Sequence, residues 1–489
     1  MTDLNDIADQ LNRLIKLALD TGEASTIEEA HQIFAGYRMQ IVVGADVAHC
    51  PVLQAALLTA VNCATRSLLG GVVVVGATGS LCVPLPPYAD TAEALIAMGA
   101  TLAVELEPDT STLVIGDIGE RGLEPLAIRA TVGAWCGGVA PVTSGFRLAE
   151  IGDFTPAGVL AGALGVSEIF QRLRGGNPAA CRRAVGVDLW RPERNWWKGG
   201  DAPPLERLPS AAWLVGLGNL GQAYLWTLGL LPYGSGDLNL TLQDTDVLAP
   251  SNLSTSILTR PALLGHRKSR VMAAWAELRG FKTSLVERTF AADFRISARE
   301  PSVALFGVDN ALARQAAEEV GFARVIEAGL GGGTQDFLGI DLHTFPASTP
   351  ARALWRDATV ASPTINLPAY SHLLQKTKDM CGTVRLAGRS IGAPFVGAAA
   401  STLVVAEFVR LGLGAHRYEM LSCHLRGPER LAVVPGALWE AFNPGTVDPR
   451  NSRRALSIDS GTSVRMVRPT HADGVSQAQI SELAEAVHF

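Results

Sequence analysis

The sequence predicts a doubly wound, mostly parallel α/β chain built in two halves. Three observations carry this. Short β-branched runs alternate with helical stretches along most of the chain, the pattern that lays parallel strands side by side under helices. With 489 residues the chain is long for one core and suited to two to four. Its 50 glycines and 48% apolar residues, against 18% charged, describe packed interiors with many tight turns.

Residues 1–36 read as two short helices, the second capped by Ser25 or Thr26 before IEEAHQIF. Residues 37–186 form a first α/β domain: strand IVVGADV, helix PVLQAALLTAVNCATRSLL, strand GGVVVVGA, helix ADTAEALIAMGA, strand TLVIGDIG, and a long small-residue helix over 154–176. Residues 187–208, dense in tryptophan, proline and charge, read as a linker lying on a surface. Over 209–420 the alternation resumes with strand AAWLVGLG, helix NLGQAYLWTLGLL, strand DLNLTLQD, helix RKSRVMAAWAELRG and strand KTSLVERTF. Strand SVALFGVD, helix ALARQAAEEVGF and strand ARVIEAGL follow. Residues 421–489 form a mixed tail, with strands near LSCHL and RLAVV and a last helix SQAQISELAEAVHF. PAGVLAGALGVSEIFQRL, from Pro156, echoes PFVGAAASTLVVAEFVRL, from Pro394. Two readings are open: buried helices of similar composition, or diverged copies of one α/β unit.

Composition excludes several classes. A net charge of -6 argues against a nucleic-acid partner. The seven cysteines are scattered without a C-x-x-C pair, which argues against structural zinc and a disulfide framework and suits a reducing cytoplasm. The N-terminus lacks the apolar stretch of a signal peptide. LLGGVVVVGA and GAAASTLVVAEFV are too short or glycine-broken for a membrane span, so a cytoplasmic chain without a membrane partner is expected.

WLVGLGNLGQA carries Gly216, Gly218 and Gly221 as G-x-G-x-x-G between a strand and a helix. The first glycine allows the turn, the second lets backbone approach a phosphate, and the third permits close helix packing. Helix N-terminal N–H groups favour an anion there. Asp244, ending the next strand, suits ribose hydroxyls, and so far NAD fits as well as ATP. A hydride-transfer enzyme has no use for the residues beyond it: the second carboxylate Asp246, Ser-Asn-Leu at 251–253, GHRK ending in Lys268, and FGVDN containing Asp309.

In this order these elements resemble the ubiquitin-activating-enzyme-like adenylyltransferases of the ThiF, MoeB and HesA type, over residues 209–415. The resemblance implies a Rossmann-like fold that binds ATP and Mg2+ and adenylates the C-terminal carboxylate of a ubiquitin-like or sulfur-carrier-like small protein. It implies that Gly216, Gly218 and Gly221 hold phosphates and Asp244 the ribose. Asp246 and Asn252 line the α-phosphate region, Lys268 neutralises phosphate charge, and Asp309 binds the magnesium. Such roles make physical sense, because adenylation brings a carboxylate against a polyphosphate and needs cations there. The family's arginine after Ser-Asn-Leu is absent, with Ser254, Thr255 and Ser256 in its place; Arg260, Arg267, an arginine from the N-terminal half such as Arg38, or a partner subunit are candidate substitutes.

In the ubiquitin-activating branch a cysteine of the crossover segment takes the acyl group from AMP. Cys381, read as lying in a polar loop near Lys378, Arg385 and Arg389, matches that position. The other six cysteines read as core or surface, and His266 and His372 as local hydrogen-bonders. The glycine-rich EAGLGGGTQDF reads either as a seat for a substrate tail or as a plain loop. The first half, whose GGVVVVGATGS lacks a following D-x-D or lysine, is expected to be non-catalytic and to stand in for a second subunit or recruit the carrier or a conjugating enzyme. A homodimer and an intrachain pseudo-dimer are both open. The competing functions are an NAD-dependent oxidoreductase and a non-catalytic scaffold.

Overall fold

A computed structural model describes residues 7–76, 79–119, 121–150, 152–356, 365–437 and 443–450. The expected last helix lies outside the described residues. The chain begins with three short helices rather than two: α1 (Ile7–Gln10), α2 (Lys16–Asp20) and α3 (Ile27–Ala35). Thr26 is the cap of α3. Its hydroxyl accepts the Glu29 N–H at 3.0 Å while the Glu29 carboxylate accepts the Ser25 N–H at 2.7 Å, satisfying two free donors of the first turn.

The first sheet contains β1 (Met39–Val43), β2 (Val72–Gly76), β3 (Thr101–Ala103), β4 (Thr112–Ile115), β5 (Ile128–Gly133), β6 (Cys136–Pro141) and β7 (Val185–Asp188). Its order is β3-β2-β1-β4-β5-β6-β7, with β6 and β7 antiparallel to their neighbours and the rest parallel. Sequence reading misses β3 and β5 to β7. CGGVAP shows no alternation, because glycines bring β6 close under its neighbours: a Cβ on Gly137 would sit 2.1 Å from the Ala157 carbonyl oxygen. The helices of this half are α4 (Pro51–Ser67), α5 (Thr91–Ala97) and α6 (Thr155–Arg174).

Beyond β7 the chain runs mostly exposed or half-buried over residues 190–207, pinned by a few buried side chains. Trp196 is 1% exposed, and Leu205 and Leu208 are buried, while Trp197 remains 44% exposed. Apolar area outweighs the local charge here: each buried large side chain contributes roughly 1.5–3 kcal/mol. The ribbon β8 (Leu208–Pro209) pairs later with β17 (Thr446–Val447).

The second sheet contains β9 (Ala211–Val215), β10 (Asn239–Gln243), β11 (Lys282–Val286), β12 (Val303–Phe306), β13 (Arg324–Leu330), β14 (Gly339–Phe345), β15 (Tyr418–His424) and β16 (Ala432–Pro435). Its order, β11-β10-β9-β12-β13-β14-β15-β16, repeats the first sheet strand for strand before adding β16. The switch from parallel to antiparallel falls at the same place, between β13 and β14. Around it lie α7 (Asn219–Leu230), α8 (Lys268–Leu278), α9 (Ala311–Gln315), α10 (Ala351–Leu354), α11 (Pro368–Thr377), α12 (Met380–Gly388) and α13 (Pro394–Gly412). α9 is shorter than ALARQAAEEVGF promised.

The echoing helices α6 and α13 hold matching places and pack against each other, with α4 and α7 beside them. Two glycines let α6 and α4 touch: a Cβ on Gly158 would meet Val52 O at 2.0 Å, and one on Gly162 would meet Ala56 O at 2.3 Å. Trp226 Nε1 donates to Thr59 Oγ1 at 2.9 Å and Thr155 Oγ1 to Leu230 O at 3.0 Å, so polar groups also cross between halves. Among the described residues α13 is the one helix long and apolar enough to cross a membrane, and that stretch is wholly buried as a core helix.

Candidate active site

The site forms where β9, β10 and β12 end, at the point where the sheet's strand order reverses. Gly216 turns the chain with φ +82°, and a Cβ on Gly221 would lie 1.9 Å from the Gly216 carbonyl oxygen. Both glycines are therefore fixed by packing. Gly218 has open space where a side chain would stand, leaving the first turn of α7 accessible to an anion. Asp244 Oδ2 accepts the Leu217 N–H at 2.7 Å and Oδ1 the Asp246 N–H at 2.8 Å. This carboxylate shapes the turn itself, and a carboxylate with one bond on each oxygen keeps lone pairs for a further donor.

Asp246 and Lys268 meet each other. Lys268 Nζ lies 2.8 Å from Asp246 Oδ2, with the lysine side chain 10% exposed and the aspartate 68%. The backbone repeats the link, Lys268 N–H to Asp246 O at 3.0 Å. Asn252 sits in a 3-10 turn (Pro250–Ser254), its Oδ1 accepting the Ala249 N–H at 2.9 Å. Asp309 is exposed just past β12, and its carboxylate takes no hydrogen bond among the described residues. A lone carboxylate fits a magnesium ion that arrives with a triphosphate, since Mg2+ is held by one or two carboxylates and substrate phosphates. No group of three metal-ligating side chains exists among the described residues that would hold a metal without such help.

None of the three candidate arginines reaches Ser-Asn-Leu. Arg38 pairs with Glu107 at 2.5 Å, Arg260 donates to Ala97 O at 2.7 Å, and Arg267 donates to Thr245 O at 2.8 Å. The residue that does arrive is Arg13, from the turn between α1 and α2. Its backbone N–H donates to Ser254 Oγ at 3.0 Å, within the segment where the arginine is missing, while its guanidinium Nη1 donates to Ser390 O at 3.3 Å. Its buried Nε has no hydrogen-bond partner. Burial pushes Arg13 down to about 10, helped by Arg389 and opposed by the charges of Asp9 and Asp309. A second arginine of the first half, Arg66 on α4, donates to Leu253 O at 2.7 Å and Ile257 O at 3.0 Å. Both lie far away in sequence, and no local pattern announces them.

Cys381 is on the first turn of α12, not in a loop. Asp379 caps that helix by accepting the Gly382 N–H at 2.9 Å. The thiol is exposed, beside Met380 at 49% and Val384 at 37% exposure. The cationic setting expected from the sequence is thinner than Lys378, Arg385 and Arg389 suggested: Arg389 is held by Asp9 at 2.8 Å, and Asp379 adds a negative charge next to the thiol. Among the described residues no hydrogen bond joins Cys381 to the glycine turn. The segment carrying it is tied to the N-terminal helices through that pair, through Lys376–Glu28 at 3.1 Å, and through Tyr370 donating to Asp20.

Two family models match, BilD N-terminal domain over residues 38–189 and BilD C-terminal domain over 208–415. The chain is 40% identical over 417 residues to the bacterial E1-like protein BilD of Collimonas sp. (strain OK412), covering 84% of this chain and 90% of that one. Solved structures are more distant. The E. coli tRNA N6-threonylcarbamoyladenosine dehydratase TcdA shares 17% identity over 41% of this chain and 85% of its own, with a TM-score of 0.27. E. coli MccB shares 10% over 54% and 68%, with a TM-score of 0.30.

Proposed function

The chain belongs to the BilD family of bacterial E1-like proteins, ATP-dependent adenylyltransferases of the ThiF/MoeB type, and from this premise we propose that it activates the C-terminal carboxylate of a ubiquitin-like protein with ATP and Mg2+ and passes the acyl group to Cys381. Family membership sets aside the oxidoreductase and the scaffold.

In the proposed reaction a carboxylate oxygen of the carrier attacks the α-phosphorus of ATP. The bond to pyrophosphate breaks, leaving acyl-AMP. The N–H groups of α7 and the charges of Lys268 and Arg13 offset the negative charge that gathers as two anions meet. Asp244 and Asn252 hold the glycine turn and the Ser-Asn-Leu turn in place around the nucleotide. Magnesium, when bound at Asp309, would neutralise phosphate oxygens. In the second step the Cys381 sulfur attacks the acyl carbon, its proton goes to water, and AMP leaves.

The observation that carries this reading is Arg13, whose backbone N–H is anchored on Ser254 and whose guanidinium feels the charge of Asp309. It supports a complete ATP site within one chain, with the first half in the role of a second subunit. The purified protein with its cognate carrier, in the cytoplasm of its host or in vitro, is expected to exchange labelled pyrophosphate into ATP, and Asp309→Ala to abolish the exchange. Absence of exchange with every small β-grasp protein encoded nearby would refute it. Cys381→Ala is expected to keep acyl-AMP formation and lose a thiol-reducible carrier adduct; an unchanged adduct removes the thioester step.

A further inference from the structure

Behind Asp309 lies a buried charge cluster that the proposed reaction does not use. Glu327, in the middle of β13, is 1% exposed at its side chain, where an unpaired carboxylate would be costly. It is flanked on two sides. Arg314 Nε, on α9, pairs its charge with Oε1 at 3.0 Å without a hydrogen bond to it, leaving Oε1 buried and without a hydrogen-bond partner, and His343 Nδ1, on β14, is 3.1 Å from Oε2. The Arg314 guanidinium also lies over the Trp355 ring at 5.7 Å, and His343 meets that ring edge-on at 5.5 Å. Gly329 makes the room: a Cβ there would be 3.2 Å from Nη1 and 3.3 Å from Nη2.

What ties the cluster to the site is a single bond. Arg314 Nε donates to the carbonyl of Val308 at 2.9 Å, the residue directly before Asp309. On the other side, Tyr224 of α7 donates to Phe306 O at 2.8 Å, and the Glu327 and Arg314 charges both act on its hydroxyl. The turn that bears Asp309 is thus clamped between the helix of the glycine turn and a carboxylate fixed in the sheet. Nothing local in the sequence announces Glu327 or His343.

We propose that Glu327, Arg314 and His343 are positioning residues: they hold the 307–309 turn so that the Asp309 carboxylate is already aimed at the magnesium of bound MgATP. This rests on the assignment of Asp309 as the metal ligand. The cluster touches neither nucleotide nor carrier, so its disturbance costs the gain in affinity that magnesium confers, while ATP binding through α7 and Lys268 persists.

The test is calorimetric titration of the full-length protein with ATP, once with excess Mg2+ and once with chelator, beside a thermal melt. Glu327→Gln keeps the shape and removes the charge. It is expected to lower the magnesium-dependent gain in ATP affinity about tenfold, the usual cost of losing a group that orients a metal ligand, with metal-free affinity within about twofold of wild type. Gly329→Ala, which nudges the guanidinium without removing any charge, is expected to lower it less and in the same direction. Should Glu327→Gln fail to fold, Gly329→Ala and His343→Gln decide. A wild-type gain in the folded variants overturns the proposal. Asp309→Ala is the control: if it leaves the gain intact, the metal assignment fails instead, whatever the cluster variants do.

Discussion

The two halves share a strand order and differ in what they place at the end of their first strand. After β9, Gly216 leads directly into α7 and Gly218 opens on free space. After β1, Gly44 leads instead into a 3-10 turn (Ala45–His49). Its Asp46 accepts the Asp117 N–H at 2.8 Å, and a Cβ on Gly44 would meet Asp117 O at 2.3 Å. Arg147 closes the place, lying 2.5 Å from Glu150, 3.1 Å from Asp46 and 3.5 Å from Asp117. Those carboxylates, Glu150 first, hold Arg147 well above its usual value, so its charge is firmly engaged. Where the second half leaves the first turn of α7 open, the first already holds a carboxylate, and Arg13 and Arg66 reach across instead. A duplicated architecture need not duplicate a binding site; the second copy can be kept for what it lends the first.

The largest expected effect that sharpens this contrast is at Arg13. Arg13→Ala is expected to lower pyrophosphate exchange by about a hundredfold or more, in the range of a lost charge-stabilising donor. Arg13→Lys should recover part of it, and an unchanged rate would deny the first half a part in the chemistry. Next is Arg66→Ala, which strips Leu253 O and Ile257 O of their donor and should cost roughly 2–3 kcal/mol in a denaturant melt. Nucleotide stoichiometry follows: calorimetry should count one ATP per chain, and two would mean that the Asp46–Arg147 closure opens.

The smallest effect is on pH. Glu168 of α6 is pushed up to about 7 by burial, against the Cys181 N–H and Arg183. A carboxyl whose folded value is raised binds more protons folded than unfolded, so its contribution to stability falls as pH rises from the ordinary carboxylate range towards 7. Glu168→Gln should flatten that slope in melts across the window; an unaltered slope would place its origin elsewhere.

Much of the second half was legible because its signals are local. A glycine turn between strand and helix, Asp244 one strand on, and Lys268 at the head of α8 all stand within a short span of chain. Strands rich in valine and leucine announced themselves, and glycine-rich β6 did not. The N-cap Asp379 was read as part of a polar loop because Lys378 and Arg385 masked the helix beginning at Met380. That an arginine of the N-terminal half would serve was readable, but that Arg13 and Arg66 are the ones to cross was not, for a different reason. Their partners lie 241 and 187 residues away, and only the docking of two sheets brings them together. The repeated strand order behind that docking showed in sequence as one echo between α6 and α13, which alone could not separate shared ancestry from shared burial.

Whether one chain carries a whole site can be measured by mixing. Arg13→Ala and Asp309→Ala chains, purified separately and combined under conditions that let subunits exchange, are assayed for pyrophosphate exchange. The account predicts that the mixture is as inactive as either variant, because each site takes its arginine and its carboxylate from the same chain. Recovery of exchange on mixing would show Arg13 serving a neighbouring molecule and contradict it.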